Sequence, residues 1–412
     1  MIKLRNLRLE RGIAFQYGKP QARIVCDMEA DFTDVKEFWF SVDDANYGWL
    51  TDDVYDAFLV ALLYPAVYYD EDIHVCGNVS KKLYHNIIHY VEGLMLAYDG
   101  NFHKVNITVD GFTDASKAEH LHVGTGFSGG VDSFSTLSDN FFDTNDPDYK
   151  VDTLFFFHVG QYGNVKNPAT WQRANNRFSI TRDFADEIGV SALMMSTNLF
   201  DVYLPHWEYD AGVICRIASV LVFQKSLKRY YISNAVTYRE LAKMNFTDHH
   251  VDMAEMSDPI IMPLLSTDGL EILCDGAQHT RTEKTANIAD NPLAWKHLNV
   301  CVNTSDEHVE ATNCSRCSKC LRTLMALWAV GALQKFSGVF DIEEWNKHSF
   351  RYKCEQVFKY KKDVFAQDNV DFARKQGKRL PNKLTATVVV SFFWLRSLPG
   401  RALRKFKKMA NG

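Results

Sequence analysis

The sequence predicts an α/β protein whose centre is a parallel, doubly wound sheet, with an α+β region before it and a cysteine-bearing helical region after it. Three observations predict this class. Between about residues 118 and 300, strand-length apolar runs alternate with helical patterns, as a parallel sheet covered on both faces requires. The run Val151-Asp-Thr-Leu-Phe-Phe-Phe157 is nearly continuous in apolar side chains and suits a central strand. Finally, Phe127-Ser-Gly-Gly-Val-Asp-Ser133 joins a strand-like stretch ending at Gly126 to a helix-like stretch opening at Phe134.

In chain order, residues 1–117 read as an accessory α+β domain. Ala22–Cys26, Glu37–Val42 and Lys104–Asp110 have strand patterns, and Thr51 leads into an apolar helix over Val54–Val67. Ser80 precedes a helix whose Leu83, Ile87, Val91, Leu94 and Met95 share one stripe. His74 and Cys76 alternate on a short strand, a spacing that reads as core and surface rather than as ligands. Residues 118–300 form the sheet domain, with further strands at Ser191–Ser196 and Tyr230–Ala235 and buried helices around Phe178–Ile188 and Ala211–Leu227. Residues 301–335 hold a cysteine knuckle and an apolar helix, and 336–412 a helical C-terminal region with a basic tail.

The loop at 127–133 carries the chemistry. Two adjacent glycines let successive backbone N–H groups turn inward, and a following helix adds its positive end, so the stretch suits an anion. Ser128 and Ser133 add hydroxyl donors. Asp132 repels phosphate unless Mg²⁺ lies between them, which makes a magnesium-bound polyphosphate the natural ligand. The Gly-x4-Gly-Lys-Ser/Thr spacing of a Walker loop is absent, so a P-loop kinase or GTPase is excluded.

Ser128-Gly-Gly-Val-Asp-Ser133 resembles the pyrophosphate loop of the adenine nucleotide α-hydrolase superfamily. Its members cleave ATP between the α and β phosphates, adenylate a substrate and build on a Rossmann-like sheet. Within it the chain is most similar to 7-cyano-7-deazaguanine synthase. There a Gly-Gln pair ends the second strand, as Gly160-Gln161 does here after His158. With ligands at the carboxyl ends of strands, Phe127–Ser133 and His158–Gln161 are expected in one crevice. Pro263–Ile272 is similar to a family segment that carries a phosphate-contacting lysine, but Gly269 stands in that lysine's place. Arg281 and Lys284, three apart on a predicted helix, are the expected replacements. The resemblance covers roughly residues 120–325. It departs after the fourth strand, where Ser233–Glu240 replaces the family's nucleobase segment, so the acceptor stays unassigned.

Cys314, Cys317 and Cys320 recur at three-residue intervals, with Cys301 thirteen residues upstream at the end of an expected strand, Leu298–Cys301. Four such thiols complete a tetrahedral, structural zinc site; the spacing also admits an iron–sulfur cluster, although no Cys-Pro signature follows. The synthase has a similar cysteine arrangement. Cys26, Cys215, Cys274 and Cys354 are isolated and read as buried thiols.

Nine cysteines in 412 residues are too sparse for a disulfide scaffold, and a net charge of −5 argues for no nucleic-acid surface. The charged start has no secretory pattern, and the expected compartment is the cytoplasm. Leu384–Leu395 is apolar but too short to span a bilayer. Arg396, Arg401, Arg404, Lys405, Lys407 and Lys408 follow it, leaving contact with a membrane surface as an alternative to packing on the body. The resemblance thus implies a ligase that uses ATP, Mg²⁺ and structural Zn²⁺ to adenylate a small-molecule or protein-terminal carboxylate. Its nitrogen would arrive free or from an ammonia-supplying partner. The alternative is a non-catalytic ATP-binding subunit of a larger complex.

Overall fold

The computed structural model describes residues 1–15, 18–98, 100–113, 121–160, 167–203, 212–243, 253–301 and 313–410. The chain divides into two compact units, residues 1–128 with 136–278 and residues 129–135 with 279–412.

The first unit is built on one ten-stranded sheet. Its strands are β1 (Ile2–Ile13), β2 (Gln21–Glu29), β3 (Glu37–Asp43), β4 (Ile73–Ser80), β5 (Ile107–Thr113), β6 (His122–Gly126), β7 (Thr153–His158), β8 (Ser191–Thr197), β9 (Leu227–Ser233) and β10 (Glu271–Asp275). They lie in the order β10-β9-β6-β7-β8-β3-β2-β1-β4-β5. From β10 to β8 every neighbouring pair is parallel. The chain starts that half at β6, adds β7 and β8 on one side, then crosses over to place β9 and β10 on the other. Strand order therefore reverses at β6, and the carboxyl end of such a strand is where open α/β sheets bind ligands. Phe127–Ser133 follows that end directly.

The expected boundary at 117/118 is not where the structure divides. β3 pairs antiparallel with β8, Phe40 opposite Thr197 and Val42 opposite Met195, so the N-terminal strands continue the same sheet. Phe38, Phe40 and Phe58 share one core with Phe155, Phe223 and Ile272. Strand pairing and a common core leave no separate N-terminal domain. The expected apolar helix spans Asp56–Tyr69, and Asp56 through Val67 are all buried, which is why its pattern shows no polar face.

The second unit is helical: Arg281–Asn287, Pro292–His297, Ser318–Val330, Ile342–Lys359, Val364–Lys375 and Lys383–Ala410. Leu324, Leu327, Phe336, Trp345 and Val370 are among its buried residues. Leu298–Cys301 is no strand; the amides of Val300 and Cys301 are satisfied by the Asn313 side chain instead. The last helix exposes Leu384, Val388, Phe392, Trp394 and Leu395, and side chains beyond residue 396 lie outside the described ones. No helix among the described residues is long and apolar enough to cross a membrane.

Candidate functional site

The loop leaves β6 with Phe127, whose N–H donates to Phe155 O on β7 at 3.1 Å and whose ring stacks on Phe184 at 4.2 Å. Thr181 Oγ1 donates to Phe127 O at 2.8 Å, so the start of the loop is pinned from both sides. Ser128 is exposed. Gly129 turns the chain at φ +71°, a left-handed conformation that only glycine adopts without strain. Its carbonyl accepts from Asn299 N–H at 2.7 Å. The helix Val131–Leu137 then starts, with Ser133 Oγ donating to Gly130 O at 3.0 Å and Phe134 N–H to the same oxygen at 3.0 Å. Ser133 is buried and spends its hydroxyl on shaping the loop. Within the first unit, Thr136 donates to Asp275 Oδ2 at 2.7 Å and Asn140 to Asp275 Oδ1 at 3.1 Å, tying residues 136–140 to the carboxyl end of β10.

A β-carbon at residue 129 would lie 3.3 Å from His297 O and 3.5 Å from Asn299 Cβ, on backbone already at positive φ. Gly129→Ala is expected to cost about 1–2 kcal/mol in denaturant unfolding. An unchanged unfolding midpoint would show that the turn is not held as described.

Asp132 is the centre of a charge cluster in the second unit. Arg281 Nη1 lies 2.9 Å from Asp132 Oδ2, and Lys284 Nζ lies 3.5 Å from Asp132 Oδ1. The expected same-face pair of cations is thus brought onto the loop carboxylate. Their helix, Arg281–Asn287, is set by a capping box in which Thr280 accepts from Glu283 N–H and the Glu283 carboxylate accepts from Thr280 N–H. Asp368 fixes its first turn, accepting from Thr282 Oγ1 at 2.7 Å and Thr282 N–H at 3.1 Å. Lys284 is 1% exposed and Arg281 13%, whereas Asp132 is 20% exposed. Two cations face one carboxylate, and Lys319 and Arg322 lie close enough for the Arg281 and Asp132 charges to act on both. The loop therefore sits in a positive field with a single negative group at its centre, which favours a polyanion.

The other expected residues fall differently. His158 is fully buried at the end of β7, edge-on to Trp171 at 5.1 Å, so its ring offers no face to solvent. Gly160 is buried at φ +117°. Gln161 lies outside the described residues.

Cys301, Cys314, Cys317 and Cys320 come together with their sulfurs all within 4.8 Å of one another. A tetrahedral zinc with Zn–S of about 2.3 Å needs S···S separations of about 3.8 Å. Cys314 and Cys320 sulfurs are 3.8 Å apart and those of Cys317 and Cys320 3.4 Å, so this group could hold a zinc ion with little adjustment. The knuckle donates its own amides to sulfur, Cys317 N–H to Cys314 Sγ at 3.4 Å and Cys320 N–H to Cys317 Sγ at 3.5 Å. Contact with Cys317 and burial raise the Cys320 thiol, so a cation is what would keep these sulfurs as thiolates.

Asn313 is a residue that the sequence reading missed. It is buried; its Oδ1 accepts from Val300 N–H at 2.7 Å and Cys301 N–H at 3.1 Å, while its Nδ2 donates to Leu298 O and Val339 O. That side chain does the work expected of a strand partner, delivering Cys301 to the knuckle. Its position directly before Cys314 was the available signal. A second group, His74, Cys76 and Asp110, also gathers on the β4–β5 surface, with His74 Nε2 3.5 Å from Asp110 Oδ1. No family model, curated protein or solved structure matches the chain.

Proposed function

We propose that the chain is an ATP-dependent carbon–nitrogen ligase that forms AMP and pyrophosphate. The observation carrying this reading is the convergence of Arg281 and Lys284 on Asp132, inside the Ser128–Ser133 loop that follows the strand at which the sheet order reverses. A P-loop NTPase or P-loop kinase site would need a loop lysine of the Walker kind, which this chain lacks. The resemblance to the α-hydrolase loop supplies the reaction.

In that reaction an oxygen of the acceptor carboxylate attacks the α-phosphorus of ATP. A new P–O bond forms, the bond from the α-phosphorus to the α,β-bridging oxygen breaks, and its electron pair leaves with pyrophosphate. A nitrogen nucleophile then attacks the acyl carbon, the C–O bond to AMP breaks, and the nitrogen loses a proton to give an amide. Arg281 and Lys284 would compensate the charge that grows on the pyrophosphate oxygens, a role in which preorganised cations act most strongly. Mg²⁺, when bound, neutralises phosphate charge, and Asp132 is the residue that would hold it together with phosphate oxygens and water. Asp132 in turn keeps the two cations gathered until phosphate takes them over.

The test is a product analysis with α-labelled ATP, ammonium and a panel of carboxylates that includes 7-carboxy-7-deazaguanine. AMP and pyrophosphate that depend on one carboxylate are the expected result. ADP as product overturns the reading, and tight ATP binding without turnover of any panel member favours the nucleotide-binding subunit instead.

A further inference from the structure

We propose that a cavity in the second unit, walled by Arg316, Ser318, Arg322, Tyr352, Lys359 and Phe365, binds an anionic small molecule and is the seat of the acceptor. The second half of this statement rests on the ligase reading above; the first half does not.

The cavity encloses about 460 Å³, within the range of small-molecule sites. Its charge is unbalanced. Of the acids on its wall, Glu355 is taken by Arg351 at 2.8 Å, and the Asp363 carboxylate caps a helix by accepting from Ala366 N–H at 3.0 Å. His348 is paired with Glu344 at 3.1 Å. Among the described residues, Arg316, Arg322 and Lys359 make no ion pair. Three cations thus line one concave wall without an ion pair, and Asp363 is the wall carboxylate whose charge reaches Arg322.

Arg322 is the most telling of them. Its guanidinium lies over the Phe365 ring at 3.7 Å and is half-buried. Stacking uses the face of the guanidinium and leaves the in-plane N–H fork, which is shaped for a carboxylate or phosphate. A cation held out of water beside other cations is a cost to the fold, and an anionic ligand relieves it. Arg281 and Asp132 both act on Arg322 electrostatically, so one wall of the cavity is within charge range of the residues assigned to the phosphates. An anion seated there brings a carboxylate near the adenylation centre without competing for Arg281 or Lys284. Tyr352 and Phe365 add aromatic surface, which suits a ligand with a flat body.

Citrate and inorganic phosphate are suitable probes, titrated into the full-length, metal-loaded protein by calorimetry with and without ATP. Citrate is expected to bind in the millimolar range or tighter, alongside ATP rather than against it. Arg322→Met should weaken citrate at least about tenfold. Lys359→Ala, on an exposed position that the fold tolerates, should weaken it by a smaller factor. No citrate binding at millimolar concentrations, unchanged binding in both variants, or strict competition with ATP overturns the cavity. If citrate behaves as expected while ATP yields ADP, the anion site stands and the acceptor assignment falls with the ligase reading.

Discussion

Asp132→Asn is expected to reduce AMP formation by about three orders of magnitude or more while changing ATP affinity far less. Asparagine keeps the shape of the side chain and removes its charge. The change releases Arg281 and Lys284, which Asp132 holds at 2.9 and 3.5 Å, and on the proposed reading it also deletes the Mg²⁺ ligand. It also leaves Lys284, 1% exposed, without that counter-charge. Breaking one side of a buried ion pair costs about 3–5 kcal/mol, and the partial exposure of Asp132 brings the expected loss nearer about 2–3 kcal/mol. A second variant separates the two consequences. Asp132→Asn combined with Lys284→Met removes both charges, and should recover much of the stability but none of the AMP formation. Labelled-product assays and denaturant melts on the three proteins read this directly. AMP formation within about tenfold of the wild type in Asp132→Asn would remove Asp132 from the chemistry. A non-catalytic subunit predicts instead that all three proteins bind ATP and none turns it over.

The middle of the sheet was legible because a buried parallel strand carries its signal locally, and β7 and β8 fall on the expected apolar runs. β9 overlaps its run but starts at Leu227, where a helix was expected to end, and β1 and β10 were not expected as strands. The pairing of β3 with β8 was not legible, because it joins residues about 155 positions apart through ordinary backbone bonds that leave no mark on composition. The meeting of Arg281, Lys284 and Asp132 was half legible. Helical spacing put the two cations on one face, while the choice of face depended on Asp368 and the capping box that orient the helix. His158 shows the opposite failure. A histidine at a strand end reads as a ligand, but Trp171 arrives from a helix further along the chain and closes over it. Leu298–Cys301 reads as a strand end from its residues alone, and only the structure reveals that Asn313 takes the place of a neighbouring strand.

Removing the metal from the cysteine cluster is expected to unfold much more than the knuckle. One zinc per chain is the expected content, and stripping it, or Cys317→Ser, should lower the melting temperature more than any single core substitution. Metal binding at sites of this kind is worth about 10–16 kcal/mol in small zinc-dependent folds. Cys317 is a would-be ligand and also the cap of the helix Ser318–Val330, its sulfur accepting from Cys320 N–H. Leu324, Leu327 and Ala326 on that helix are buried. Cys301 lies two residues after Asn299, whose N–H holds Gly129 O at 2.7 Å. Losing the metal therefore frees Cys301, loosens Asn299, and removes the bond that shapes the turn before Asp132. The consequence is a loss of ATP affinity, although none of the four cysteines is a residue expected to touch nucleotide. Cys354→Ser is the control: that thiol is buried but outside the cluster, so it should cost only a modest packing and desolvation penalty and leave both zinc content and ATP binding intact. Iron in place of zinc would change the metal without changing this chain of support. Full ATP affinity in a folded, metal-free protein would break it, because the loop would then be shaped without Cys301.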